Sequence, residues 1–139
     1  MYSKFAVLQL LVTTMNKTRV LIVEDEIITA IDLETCLTES GYNVCGIVAS
    51  GIEAMKKVDQ QQPDVVLMNI DLQGKKEGLL TGYEINSKWA IPVIFTSGYI
   101  DVLKDLPTKN NSLGYVSKPY TRQEVLTAIE NIITNKPFL

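Results

Sequence analysis

Short apolar runs alternate with amphipathic stretches along this chain, and the two kinds of stretch predict different elements. The runs are rich in β-branched residues, which is typical of strands buried in a parallel sheet. They lie at residues 19–23, 44–49, 64–70, 91–97 and 113–117. The amphipathic stretches, which predict helices, lie at residues 27–39, 50–61, 79–88 and 121–134, with a short candidate at 101–106. This alternation predicts an α/β fold, with a parallel sheet covered by helices on both faces.

Residues that begin and end helices support these bounds. Ser50 is a candidate N-cap, and Thr121 with Glu124 three positions later forms a capping box. Gly41 is placed to end the first helix. That helix has four apolar residues at helical spacing, which predict its buried face: Ile27, Ile31, Leu33 and Leu37.

One polar stretch interrupts the pattern after the third strand. Asp71–Gly78 contains glycines at Gly74 and Gly78, so we predict a loop there. Gly82 weakens the prediction of the helix that follows, because glycine is a poor helix former.

The composition is that of an ordinary globular domain. Of 139 residues, 46% are hydrophobic and 21% are charged, and the net charge of −3 argues against direct nucleic-acid binding. The chain contains no histidine, so any phosphohistidine chemistry would belong to a partner. Cys36 and Cys45 lack metal-site spacing. We expect them to be reduced apolar fillers in a cytoplasmic protein, with a disulfide as the alternative.

The domain is expected to occupy residues 15–139, preceded by an N-terminal extension at residues 1–14. The apolar run Phe5–Val12 in that extension is too short to span a bilayer, and no small-residue cleavage site follows it. We expect it to pack as a helix on a neighbouring surface, with a membrane contact as the alternative. Because the chain stops after the last predicted helix, we expect no output domain.

Polar residues stand where the predicted strands end. The first strand is followed by Glu24 and Asp25, and the third ends at Asn69, two residues before Asp71. The fourth ends at Thr96 and Ser97, and the fifth is followed by Lys118 and Pro119. Since parallel strands end at the same edge of a sheet, we expect these side chains to converge.

Such a group suits phosphoryl transfer. Paired carboxylates hold Mg²⁺, a lysine neutralises phosphoryl oxygens, and a hydroxyl donates a hydrogen bond to another oxygen. A carboxylate nucleophile is what remains to be supplied. Each piece alone has a plainer explanation, since acids suit a helix N-terminus, serines bond local backbone, and Lys-Pro marks a turn. Their joint occurrence at four strand ends favours a pocket.

Four segments resemble those of response-regulator receiver domains, the phosphate-accepting modules of two-component signalling. They are Val20–Glu26, Pro63–Ile70, Pro92–Gly98 and Tyr115–Pro119. The resemblance extends from about Lys17 to the C-terminus. It implies a doubly wound, flavodoxin-like fold whose five parallel strands have the order 2-1-3-4-5, flanked by five helices.

The resemblance also implies roles for the residues at the strand ends. Glu24 and Asp25 match the acidic pair that binds Mg²⁺, and Asp71 falls where the family uses a backbone carbonyl as a metal ligand. Asn69 stands at the phosphate-accepting position, where the family has an aspartate that also binds the metal.

The remaining matches concern the phosphoryl group and the switch. Lys118 matches the lysine that contacts the phosphoryl group, followed by Pro119 as the family pattern expects. Ser97 matches the switch hydroxyl that contacts the same group, and Thr96 lies one place too early. Tyr115 matches the aromatic switch residue.

Asn69 changes what such a pocket can do. An amide oxygen is a poor nucleophile, so no acyl phosphate should form, and the loss of one negative charge should weaken Mg²⁺ binding. Asp71 is a minor alternative acceptor. Asn69 is either natural, in a receiver that signals by binding alone, or a substitution that blocks phosphorylation of an ordinary receiver. The presence of Asp25 and Lys118 favours the second explanation, since a domain freed from phosphoryl chemistry could lose both.

Several functions remain to be separated. The first is a signalling module that in its parent form takes phosphate from a sensor histidine kinase or phosphotransfer protein. It would contact a downstream protein through the fourth helix, fifth strand and fifth helix, with a homodimer left open and no membrane contact. The alternatives are a phosphorylation-independent pseudo-receiver scaffold and a small phosphatase using Asp71. We expect no enzyme, because no second catalytic acid follows Asp71 at near spacing. We also expect no flavodoxin-like cofactor site, because no phosphate-binding loop follows the first strand.

Overall fold

Five parallel strands form one sheet at the centre of the domain. The computed structural model describes residues 3–8, 17–99 and 112–134. In these residues the strands are β1 Arg19–Val23, β2 Asn43–Val48, β3 Val65–Asn69, β4 Val93–Ser97 and β5 Leu113–Ser117. Their order is β2-β1-β3-β4-β5, and every neighbouring pair is parallel. The predicted fold class and strand order are therefore confirmed.

Helices cover both faces of the sheet. They are α1 Ile27–Glu39, α2 Gly51–Gln61, α3 Glu77–Trp89 and α4 Arg122–Thr134. Residues of α1 and α4 form one buried cluster with the sheet, and residues of α2 and α3 form the other. Adjacent residues of a strand enter different clusters, so Leu67 packs with α1 and α4 whereas Met68 packs with α2 and α3.

The structure describes only part of the N-terminal extension. Residues 4–8 are helical and exposed. The helix predicted at residues 101–106 lies outside the described residues, as does the remainder of the apolar run that begins at Phe5. Within the described ranges, no helix has the length and apolar character that crossing a membrane requires.

The predicted helix caps are present. The Ser50 hydroxyl accepts a hydrogen bond from the Glu53 N–H at 3.2 Å. Thr121 and Glu124 bond reciprocally, at 3.1 Å to the Thr121 hydroxyl and 3.4 Å to the Glu124 carboxylate. Gly41 follows α1 with a φ of 91°, a conformation that favours glycine. Both cysteines are free thiols, so the alternative of a disulfide is wrong.

The predicted buried face of α1 is wrong in part. Leu33 and Leu37 are buried as expected, but Ile27 is 71% exposed and Ile31 is 52% exposed. Ala30 and Cys36 are buried instead. Because each helical residue turns about 100° from the one before, Ile31 points away from the sheet when Ala30 faces it.

The predicted loop is shorter than expected, and Gly78 lies in the first turn of α3. A Cβ atom added at Gly78 would lie 2.0 Å from the Asn69 carbonyl oxygen. At Gly82, an added Cβ would lie 2.3 Å from the Phe95 ring. These glycines bring α3 close to β3 and β4, which explains why a helix tolerates them.

Gly78→Ala should therefore destabilise the domain. The methyl group would push α3 away from the end of β3, and overpacking of this kind costs about 1–3 kcal/mol. Gly98→Ala is the matched control, because its added Cβ would have no atom of the described residues within 4 Å. Urea denaturation should show a clearly larger loss of unfolding free energy for Gly78→Ala, and equal losses would contradict the packing argument.

Candidate functional site

The residues predicted to converge at the sheet edge largely do so. Glu24 follows β1 and is 3% exposed, and Asn69 ends β3 and is 5% exposed. Asp25 is exposed beside Glu24. Hydrogen bonds connect these three residues with Asp71, and an ion pair adds Lys118.

The side chain of Asn69 lies at the centre of this group. Its amide nitrogen donates to Glu24 Oε2 at 2.9 Å, to the Asp71 carbonyl oxygen at 2.9 Å and to Asp25 Oδ1 at 3.3 Å. Its amide oxygen accepts from the Asp71 N–H at 3.2 Å. Both ends of the amide are thus engaged within the site.

Glu24 has partners at both carboxylate oxygens. Oε1 lies 3.2 Å from Lys118 Nζ, and Oε2 accepts from the Glu26 N–H at 3.1 Å as well as from Asn69. The Glu24 side chain is only 2% exposed. A buried carboxylate is costly unless it is paired and hydrogen-bonded, and these contacts meet that requirement. The interpretation of Glu24 as a solvated helix-terminal charge is therefore wrong.

Asp25 ties the site to the loop after β3. Its Oδ2 accepts from the Gln73 N–H at 2.9 Å. Burial alone would raise the pKa of the Asp25 carboxyl, but hydrogen bonds led by the one from Gln73 outweigh it and lower the pKa below 3.8. Gln73, with a φ of 54°, belongs to a tight turn closed by a bridge between Leu72 and Lys75. The sequence offered no signal for the contact of Gln73 beyond the neighbouring Gly74.

Ser97 and Tyr115 do not join the hydrogen bonds of this group in the described residues. Ser97 is fully buried at the end of β4, and its hydroxyl accepts from the Tyr99 N–H at 3.0 Å. Its carbonyl oxygen accepts from the Lys118 N–H at 2.8 Å, which joins the ends of β4 and β5. Tyr115 is 57% exposed on β5, in register with Phe95.

The arrangement does not fit a divalent cation. The three oxygens that the resemblance assigns to Mg²⁺ besides the residue at position 69 belong to Glu24, Asp25 and the Asp71 carbonyl. All three accept hydrogen bonds from one nitrogen, Asn69 Nδ2. An N–H donor repels a cation, and no three Cys, Asp or Glu side chains of the described residues are grouped to hold a metal. Asn69 Nδ2 thus engages the oxygens that a bound Mg²⁺ would need.

Comparison with known proteins decides the family. The sequence profile of the response regulator receiver domain matches residues 20–130. The chain belongs to the response regulator receiver domain family. The transcriptional regulatory protein PdtaR of Mycobacterium tuberculosis is 31% identical over 115 residues, which cover 81% of this chain and 55% of that protein. The probable C4-dicarboxylate response regulator DctR of Bacillus subtilis is 30% identical, over 81% of this chain and 50% of its own length.

Solved structures agree with this assignment. The PhyR receiver domain of Erythrobacter litoralis superposes with a TM-score of 0.78 at 29% identity, covering 91% of this chain and 98% of the other. The receiver domain described here spans about half the length of the curated relatives PdtaR and DctR. This chain thus shares the family and the fold of these proteins.

Tyr120 is a residue of the site region that the sequence did not indicate. Its hydroxyl is buried with no hydrogen-bond partner among the described residues. Burial, joined by the negative charges of Glu24 and Asp32, raises the pKa of Tyr120 to about 12. The folded receiver domain therefore holds this proton more tightly than the unfolded chain does.

This raised pKa predicts a loss of stability in alkali. The contribution of Tyr120 is fully present below the ordinary pKa of 10.0 and is lost as the pH rises through about 12. Phenolate absorbance should show a tyrosine that titrates near pH 12, and Tyr120→Phe should remove this late step along with part of the alkaline loss of stability. Tyr115→Phe, which removes an exposed phenol, should leave the late step in place. A late step that persists in Tyr120→Phe would contradict the assignment.

Proposed function

We propose that this receiver domain is a signalling module whose output is a contact with another protein and which, with Asn69, takes up no phosphoryl group. The observation that carries the proposal is the engagement of both ends of the Asn69 amide inside the site. An amide is a poor nucleophile, and its oxygen already accepts the Asp71 N–H. We expect the domain to act in the cytoplasm and to have no enzymatic turnover of its own.

The output surface of this proposal lies around β5 and α4. β5 is an edge strand of the sheet, and its Tyr115 side chain is more than half exposed. Large, exposed aromatic side chains are common anchors of protein contacts. We infer that Tyr115 is the switch residue of this surface.

The names of relatives support a regulatory output. PdtaR is a transcriptional regulatory protein. A PhyR structure from Bartonella quintana, with a TM-score of 0.75 at 26% identity over 94% of this chain and 54% of its own, is that of an anti-anti-sigma factor. We infer that this chain also acts on a protein partner.

We assign the receiver to residues 15–139 and treat residues 1–14 as an extension.

A second function concerns the form with aspartate at position 69. Lys118 and Ser97 meet at the joined ends of β4 and β5, where they could contact a phosphoryl group on such an aspartate. This favours a parent domain that takes phosphate from a sensor histidine kinase or phosphotransfer protein. In that form the acids Glu24 and Asp25, the residue at position 69 and the Asp71 carbonyl would supply the metal ligands.

The decisive experiment restores the carboxylate. Incubation with acetyl phosphate and Mg²⁺ should leave the chain with Asn69 unmodified, whereas Asn69→Asp should gain one phosphoryl group by intact-mass spectrometry. Asn69 lies 45 residues from Glu24 in sequence but is in contact with it, so the new carboxylate would enter the acidic site. Asn43→Asp is the matched control, since it makes the same chemical change at an exposed residue at the opposite edge of the sheet.

The outcomes separate the candidates. Phosphate on the chain with Asn69 that disappears in Asp71→Asn would make Asp71 the acceptor and overturn the proposal. Failure of Asn69→Asp to gain phosphate, with its fold intact by circular dichroism, would reject the parent-form function and leave the pseudo-receiver scaffold. Modification of Asn43→Asp would show that the labelling is not specific to the site.

A further inference from the structure

Three oxygens of the site surround a single nitrogen. Glu24 Oε2, Asp25 Oδ1 and the Asp71 carbonyl oxygen lie 2.9, 3.3 and 2.9 Å from Asn69 Nδ2. They come from the end of β1 and from the loop after β3, so one amide group joins two separate parts of the chain. To bind a cation in the site, the same three oxygens would have to give up their contacts with Asn69 Nδ2.

We propose that the Asn69 amide is a built-in substitute for a cation, which closes the acidic site and makes its structure independent of divalent metal. An amide NH₂ carries partial positive charge and two hydrogens. These two donors are shared among the two acids and the carbonyl, and they add no net charge. Lys118 supplies the full positive charge, 3.2 Å from the other oxygen of Glu24.

The orientation of the amide follows from its surroundings. With Nδ2 toward the three oxygens, every contact pairs a donor with an acceptor, and Oδ1 faces the Asp71 N–H. A flipped amide would place Oδ1 against two carboxylates and a carbonyl, and would place the NH₂ group against an N–H donor. All four contacts would then be repulsive, so the flipped orientation is excluded.

The amide also acts on the loop after β3. It holds the Asp71 carbonyl, and the Asp25 carboxylate that it contacts holds the Gln73 N–H at 2.9 Å. The loop is thereby fixed against β1 through direct hydrogen bonds. This role of the Asn69 amide concerns the metal site alone and does not depend on the partner or the output surface proposed above.

A set of variants distinguishes a cation substitute from a simple loss of charge. If Asn69 weakens metal binding only because it lacks a carboxylate, Asn69→Ala should bind Mg²⁺ no better than the chain with Asn69 does. If the amide occupies the position of the cation, Asn69→Ala frees three oxygens and should gain Mg²⁺ binding although no charge is added. Asn69→Asp should gain it under both explanations.

The measurement is the thermal unfolding midpoint with and without millimolar MgCl₂, at ionic strength matched with NaCl. A ligand that binds the folded state raises the midpoint. We expect Mg²⁺ to leave the midpoint unchanged for the chain with Asn69 and for Asn43→Asp. We expect it to raise the midpoint by several degrees for Asn69→Ala and Asn69→Asp. Without the metal, both Asn69 variants should unfold at lower temperature, because Glu24 and Asp25 lose a donor.

A second readout keeps the proposal testable if Asn69→Ala fails to fold. The side-chain NH₂ of Asn69 should give an NMR signal pair that is absent in Asn69→Asp, exchanges slowly with water and does not move on addition of Mg²⁺. The proposal would be overturned if Mg²⁺ raised the unfolding midpoint of the chain with Asn69, or if that signal pair shifted or exchanged rapidly. It would also be overturned if Asn69→Ala folded but its midpoint did not rise with Mg²⁺.

Discussion

The burial of the Glu24 carboxylate is the constraint on which the site depends. A charge with 2% of its side chain exposed must find compensation from the protein, because little water reaches it. Compensation comes from Lys118 after β5, from the Asn69 amide at the end of β3 and from the Glu26 N–H. The order β2-β1-β3-β4-β5 places β3 beside β1, which brings Asn69 to Glu24 directly, and Lys118 reaches across from the edge strand. The strand order of the sheet thus supplies the partners that compensate the buried Glu24 carboxylate.

Much of the fold could be predicted from the sequence because the relevant forces are local and repetitive. Short apolar runs predicted all five strands, and Ser50 and Thr121 marked the starts of two helices. The errors arose where tertiary contact decides the outcome. Ile31 has the spacing of a core residue but is turned away from the sheet, and Gly78 has the character of a loop residue but is required by the approach of α3 to Asn69. Neither close approach nor helix rotation is visible in one sequence.

The site was predictable in membership but not in its contacts. The rule that parallel strands end at one edge brought Glu24, Asp25, Asn69 and Lys118 together correctly. The sequence also indicated that Asn69 removes a nucleophile and a negative charge. It did not show that the amide adds a donor, because a donor matters only when acceptors surround it. The same substitution therefore has two separate physical effects: it removes a ligand from the site, and it supplies the acids that remain with a hydrogen-bond partner.

This second effect changes how the other residues of the pocket should be interpreted. From the sequence, the presence of Asp25 and Lys118 favoured a phosphate-accepting parent, since a domain without phosphoryl chemistry could lose both. In the structure each has a role without phosphate: Lys118 neutralises the buried Glu24, and Asp25 holds the loop through the Gln73 N–H. Removal of Lys118 would leave a buried acid without its cation, which is destabilising whether or not the domain accepts phosphate. Their presence therefore agrees equally with a binding module and with a phosphate acceptor, and only the behaviour of a carboxylate at position 69 separates the two.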